Sequence, residues 1–141
     1  EFFLGHVIGV ADLREARLEP MRMDALKQVM AIENAGYAWP WSECNIADSV
    51  KAGYQCLTLV GGESELMGYY IAMQGVDEVH LLNITVAPAH LRQGWARVML
   101  DALALWARSV SASYSSSLGS PCASTRISGY FFPNTASSRR R

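Results

Sequence analysis

One stretch limits the possible folds more than any other: residues 78–107, which read EVHLLNITVAPAHLRQGWARVMLDALALWA. It opens on an apolar, β-branched run, Val79 to Val86, long enough for one buried strand. Pro88 has no N–H to give, so the strand ladder ends before it. A short polar segment follows with Arg92, Gln93 and Gly94, and then an apolar period through Val98, Leu100, Leu103 and Trp106 predicts a helix. Strand, basic glycine-bearing loop and helix bring backbone N–H groups and the positive end of a helix to one point. Such a point suits a phosphate.

The chain around this unit predicts a small mixed domain. At 141 residues, half of them apolar, it can bury a single core. A formal charge of −1 leaves no electrostatic footprint for direct nucleic-acid binding. No apolar stretch approaches the ~20 residues of a membrane helix. Residues 2–10 lack the charged start of a signal peptide, although the chain begins at Glu1 without methionine, as a fragment would. Cys44, Cys56 and Cys122 form no CxxC pair and leave one over in any disulfide scheme, which fits reduced thiols in a cytoplasmic protein. His6 and His90 share no metal-ligand spacing with them.

Residues 1–16 show no clear period and are read as an extension. Asp24 is placed to cap a helix through Leu26, Val29, Met30 and Glu33 that stops near Gly36. Trp39-Pro40-Trp41-Ser42 announces a second helix, with Ser42 as N-cap, Ile46 and Val50 on one face and Gly53 as terminator. Gln55–Val60 and Leu66–Met73 read as strands joined by Gly61-Gly62-Glu63-Ser64, an antiparallel hairpin. Val76-Asp77-Glu78 leads into the opening strand. The fold class is therefore α/β (α+β), with a mostly antiparallel sheet flanked by helices. After Arg108 the composition turns serine-rich and loses apolar period. Residues 109–141 read as a solvated or disordered tail that scarcely offers a further strand. A shift of reading frame near this boundary would produce such a change, and translating the source DNA in its other frames tests it.

The loop Leu91-Arg92-Gln93-Gly94-Trp95-Ala96 resembles motif A of the GNAT family of N-acetyltransferases, whose pattern is Arg/Gln-x-x-Gly-x-Gly/Ala. Gly94 and Ala96 match it and Leu91 does not. Ala38 to Ser42, Asp77 to Ile84 and Val86-Ala87-Pro88 look like the RimI type, the subgroup that acetylates the N-terminal alanine of a ribosomal protein. The resemblance covers residues 17–108. It implies a sheet in which the central strand parts from its neighbour to receive acetyl-coenzyme A. Main-chain groups of Ile84, Thr85 and Val86 would pair with the pantetheine arm. The loop of Arg92, Gln93, Gly94, Trp95, Ala96 and Arg97 would hold the pyrophosphate, with no metal. Trp39, Trp41 and Tyr37 would form a lip for a protein N-terminus, or anchor the helices to the core.

The RimI type is similar in using a glutamate in a Leu-Glu-Val-Arg strand as base and a tyrosine in a Tyr-Glu-x-x-Gly-Phe helix as acid. Neither motif exists here, and no Asp or Glu follows Arg108. Tyr114 and Tyr130 lack that context. Glu78 is the remaining candidate base, and its alternative is a solvated hairpin residue; His80 reads as a surface or packing residue of the strand. Two functions follow from the resemblance: acetyl transfer to a protein N-terminal α-amine, and an acyl-coenzyme-A-binding module with reduced or no catalysis. An unrelated α+β interaction domain is the third reading.

Overall fold

The computed structural model describes residues 2–3, 16–76, 78–118 and 126–129, and the side chains of 16–76 and 78–111. Expectations placed on residues 4–15, Asp77, Cys122 and residues 130–141 lie outside the described residues. A six-stranded sheet runs β1 (Phe2–Phe3), β2 (Arg17–Pro20), β3 (Gln55–Val60), β4 (Leu66–Gln74), β5 (Glu78–Val86) and β6 (Arg126–Gly129), in that spatial order. All neighbours are antiparallel except β5 and β6, which are parallel. Three α-helices pack on the sheet: α1 (Leu26–Gly36), α2 (Glu43–Lys51) and α3 (Trp95–Leu118).

The sheet has a core on each face. On one face α3 lays down Trp95, Val98, Met99, Ala102, Leu103 and Ala107 against Leu18, Leu57, Leu59, Tyr70, Val79 and Leu81. On the other, α1 and α2 set Leu26, Val29, Ile32 and Ile46 against Cys56, Tyr69 and Ile71. Each helix presents one apolar stripe at i, i+3, i+4 and i+7, so each can serve only one face. β4 lies in the middle and is buried from Met67 to Ala72.

Several local readings hold and others shift. Ser42 caps α2, its hydroxyl accepting the Asn45 N–H at 3.1 Å. Gly53 follows the helix at a φ of 80°, a left-handed conformation open to glycine. Asp24 is not a cap: it sits inside a 3₁₀ turn, Met23–Ala25, and pairs with Arg22 at 2.8 Å, while Ala25 precedes α1 with no side-chain cap. α3 does not stop at Arg108 but continues to Leu118. The tail also supplies a strand after all, since Arg126–Gly129 pairs with Glu78–Leu81. Serine-rich composition concealed both, because neither depends on a strong local apolar period.

β5 carries the feature that shapes the site. Its register against β4 slips between Ile71 and Ala72, leaving Leu82 as the extra residue of a β-bulge. Val79 and Leu81, before the bulge, point into the α3 core. Beyond it Ile84 and Val86 pack on that core, and Asn83 and Thr85 turn to the α1 face. One inserted residue exchanges the faces.

Candidate functional site

The hydrogen-bond alternation of β5 decides which main-chain groups are available. The Ala87 N–H donates to Met67 O at 2.8 Å, a bonded pair. Counting back along an antiparallel ladder, Thr85 and Asn83 direct their main-chain groups to β4, whereas Val86 and Ile84 direct theirs to the opposite side. The crowding at Gly68 agrees: a Cβ there would lie 2.6 Å from Thr85 O, which points at β4. On the opposite side the described part of β6 pairs with Glu78–Leu81. Among the described residues no strand lies beside Leu82–Val86, and the side of β5 that the Ile84 and Val86 groups face, past Leu81, is termed the notch. Of the three residues expected to offer main-chain groups, Thr85 does not.

The loop beyond β5 leads from this notch into α3. Leu91 is extended, Arg92 is left-handed at a φ of 63° and Gly94 at 87°. Holding Arg92 there costs on the order of 1–2 kcal/mol, which surrounding structure must offset. Gly94 is needed for its φ; a Cβ at this position would meet open space. The Val98 N–H donates to Gly94 O at 3.1 Å, making Gly94 the helix N-cap. The N–H groups of Trp95, Ala96 and Arg97 therefore have no acceptor within the helix. Trp95 turns inward, buried, with its indole N–H donating to Gln93 Oε1 at 3.0 Å. Arg92, Gln93, Ala96 and Arg97 are exposed around the helix end.

Glu78 and His80 are in contact, Nε2 to Oε1 at 2.9 Å, both half-exposed. They stand on the α1 face of β5. Glu78 lies four positions before the bulge, about 13 Å of strand. Trp39 is 91% exposed and Trp41 half-buried. Among the described residues no group of His, Cys, Asp or Glu is placed to hold a metal. No helix of the described residues is long and apolar enough to cross a membrane.

A buried polar cluster on the α1 face was not foreseen. Glu33, 1% exposed, accepts the Trp41 N–H at 2.8 Å on Oε1. Its Oε2 accepts the Tyr69 hydroxyl and the Asn83 amide, the latter at 3.2 Å. Tyr37 donates its hydroxyl to Ile84 O at 2.9 Å, on the notch side of β5. Burial raises the Tyr37 phenol above its ordinary value, and burial with the Glu33 hydrogen bond raises Tyr69 further. Both stay neutral donors at physiological pH. A glutamate at the apolar spacing of α1, and Asn83 and Thr85 inside an apolar strand, were the available sequence signals.

The pattern of the acetyltransferase (GNAT) family matches residues 26–120, from the start of α1 past the end of α3. The chain belongs to that family. It is 33% identical over 72 residues to the [ribosomal protein bS18]-alanine N-acetyltransferase of Escherichia coli K12, a match covering 51% of this chain and 48% of the relative. The chain spans about half the length of the curated relatives it matches. The crystal structure of the Escherichia coli ribosomal-protein-S18-alanine N-acetyltransferase superposes with a TM-score of 0.57 at 28% identity, over 62% of this chain and 56% of that one. A probable acetyltransferase from methicillin-resistant Staphylococcus aureus gives a TM-score of 0.63 at 10% identity, over 87% and 84%, a likeness of fold alone. The GNAT domain here thus includes the notch, the loop and the N-terminus of α3.

Proposed function

We propose that this GNAT domain binds acetyl-coenzyme A along the notch and transfers the acetyl group to the N-terminal α-amine of a protein. The observation that carries the reading is the pair of main-chain edges at Ile84 and Val86 turned away from β4, on the strand that leads through the loop to the N–H groups of Trp95–Arg97, which have no acceptor within α3. A chain of amides needs the first and a pyrophosphate the second. Ile84 and Val86 would hold the pantetheine arm. Thr85 supports them through its side chain. Arg92, Gln93, Gly94, Ala96 and Arg97 would surround the phosphates, with Trp95 bracing the loop from below.

Acetyl-coenzyme A supplies an acetyl group already activated as a thioester. The chain's part is alignment, stabilisation and proton removal. The Val86 N–H is positioned to polarise a carbonyl in the notch. We assign proton acceptance to His80, held by Glu78, on the face shared with Tyr37 and the Trp39–Trp41 lip. An α-amine, with a pKa of about 8 against about 10.4 for lysine, asks less of such a base. Similarity to the Escherichia coli alanine acetyltransferase favours a ribosomal protein as acceptor, and a cytoplasmic setting fits that substrate.

A second reading keeps the binding and drops most of the catalysis. It is favoured by β6, whose residues Arg126-Ile127-Ser128-Gly129 carry no carboxylate, and by the absence of Asp and Glu after Asp101. Calorimetric titration with acetyl-coenzyme A and mass spectrometry of an Ala-starting peptide separate the two. Binding with an added acetyl mass supports transfer; binding without it supports the module. Absence of heat at millimolar ligand defeats both. Gly94→Glu should abolish binding, since it forces a bulky anion into a left-handed position against the phosphates. His80→Gln should lower kcat by 10²-fold or more while leaving acetyl-coenzyme A affinity unchanged.

A further inference from the structure

We infer that Tyr37 is a positioning residue that couples the cofactor notch to the acceptor lip, so that coenzyme A and the acceptor peptide each tighten the binding of the other. The inference rests on the function proposed above and adds a linkage between its two half-sites. Ile84 O is one of the two β5 carbonyls that face the notch, and it already accepts the Tyr37 hydroxyl at 2.9 Å. A carbonyl has a second lone pair, so a ligand amide can donate to the same oxygen without displacing Tyr37. Tyr37 also closes α1, its N–H donating to Glu33 O at 3.2 Å, and the chain passes from it directly into Ala38–Trp41.

The opposite end of that segment is tied to the same network. The Trp41 N–H donates to Glu33 Oε1, and Glu33 Oε2 accepts from Asn83. The Thr85 hydroxyl lies 3.1 Å from the Tyr37 oxygen and 3.0 Å from Asn83 Oδ1, its single proton shared between them. Residues 37–41 are therefore pinned at both ends, to the Ile84 carbonyl and to the Glu33 carboxylate, while Trp39 between them stays exposed. The bulge makes the arrangement possible, because it turns Asn83 and Thr85 to the α1 face while Ile84 keeps its main chain in the notch. A ligand that fixes the Ile84 peptide plane fixes Tyr37, and Tyr37 fixes the lip. Linkage makes the effect reciprocal.

The test measures the affinity of an Ala-starting peptide with and without saturating coenzyme A, the free thiol being unable to acetylate it. The folded wild-type protein should bind the peptide roughly 5- to 10-fold more tightly in the presence of coenzyme A. Tyr37→Phe, which removes one hydroxyl, should bring that ratio close to one. It should raise the acceptor KM several-fold at little cost in kcat. Thr85→Val, which leaves the Tyr37–Ile84 bond in place, should give an intermediate ratio. A folded Tyr37→Phe protein with the wild-type ratio overturns the inference and leaves the function intact. A wild-type protein that binds coenzyme A with a ratio of one does the same. Absence of coenzyme A binding overturns the function and this inference with it.

Discussion

Tyr70 is fully buried, yet its hydroxyl has no hydrogen-bond partner among the described side chains. Gln55 is near enough to favour the phenolate slightly but is not placed to bond the hydroxyl. Burying an unpaired hydroxyl is costly, so Tyr70→Phe should be neutral or stabilise the fold by about 1 kcal/mol in urea unfolding. A loss above that size would reveal a partner. Burial also pushes Tyr70 up to about 12 and Cys56 up to about 11, from 10.0 and 9.0. Both groups ionise at lower pH in the unfolded chain than in the folded one. Their contribution is complete below about pH 9 and is lost as pH rises through the folded values. The loss by pH 11 should be on the order of 3 kcal/mol. Thermal melts that are flat from pH 9 to 11 would contradict it. The same burial shields Cys56 from alkylation while exposed Cys44 reacts.

At the scale of elements, the alternation along β5 has a directly measurable signature. The Asn83 and Thr85 amides are locked to β4, whereas those of Ile84 and Val86 face the notch. Hydrogen exchange should therefore be slow at 83 and 85 and fast at 84 and 86, and acetyl-coenzyme A should slow the latter pair. Uniform protection along the strand would place another strand in the notch. Ser42→Ala should cost α2 about 1 kcal/mol by removing the bond to Asn45 N. Elements with strong local signals were legible in advance. β3 could be bounded because Gly53 and the Gly61-Gly62 pair flank a run of strand formers, and the α2 cap because Ser42 follows a proline-bearing turn. The bulge was hidden: β5 alternates buried and half-exposed residues throughout, so burial gives no sign that the buried positions serve different cores on either side of Leu82. Glu33 was read as an ordinary helical position because its partners lie 36 and 50 residues away.

For the whole molecule, the sheet keeps two cores apart. Ile46 on one face and Leu103 on the other are both fully buried. Ile46→Val should cost about 1 kcal/mol and Leu103→Ala about 2–5 kcal/mol. The double variant should show their sum within about 0.5 kcal/mol, because they share no neighbours. A larger discrepancy would mean that β4 transmits strain between the faces. The mixed character of the domain and the loop-to-helix unit were readable from periodicity alone. The strand, loop and helix start of the candidate site were readable too, because they are built from consecutive residues. The buried polar cluster joins α1, β4 and β5, and β6 joins β5 across a long sequence separation. Neither leaves a local trace.

That last pairing bears on the order in which the chain folds. β3 to β5 form a meander of hairpins whose partners are close in sequence, so they can assemble rapidly. Leu81 and Gly129, by contrast, must meet across the whole of α3, a loop whose closure costs entropy before any contact repays it. The parallel strand should therefore join after the meander has formed. For some interval a newly made chain would hold the β3–β5 meander while the outer edge of β5 is open along its full length. That exposed edge is the segment most prone to pair with a second molecule, and a chaperone would find its opportunity there.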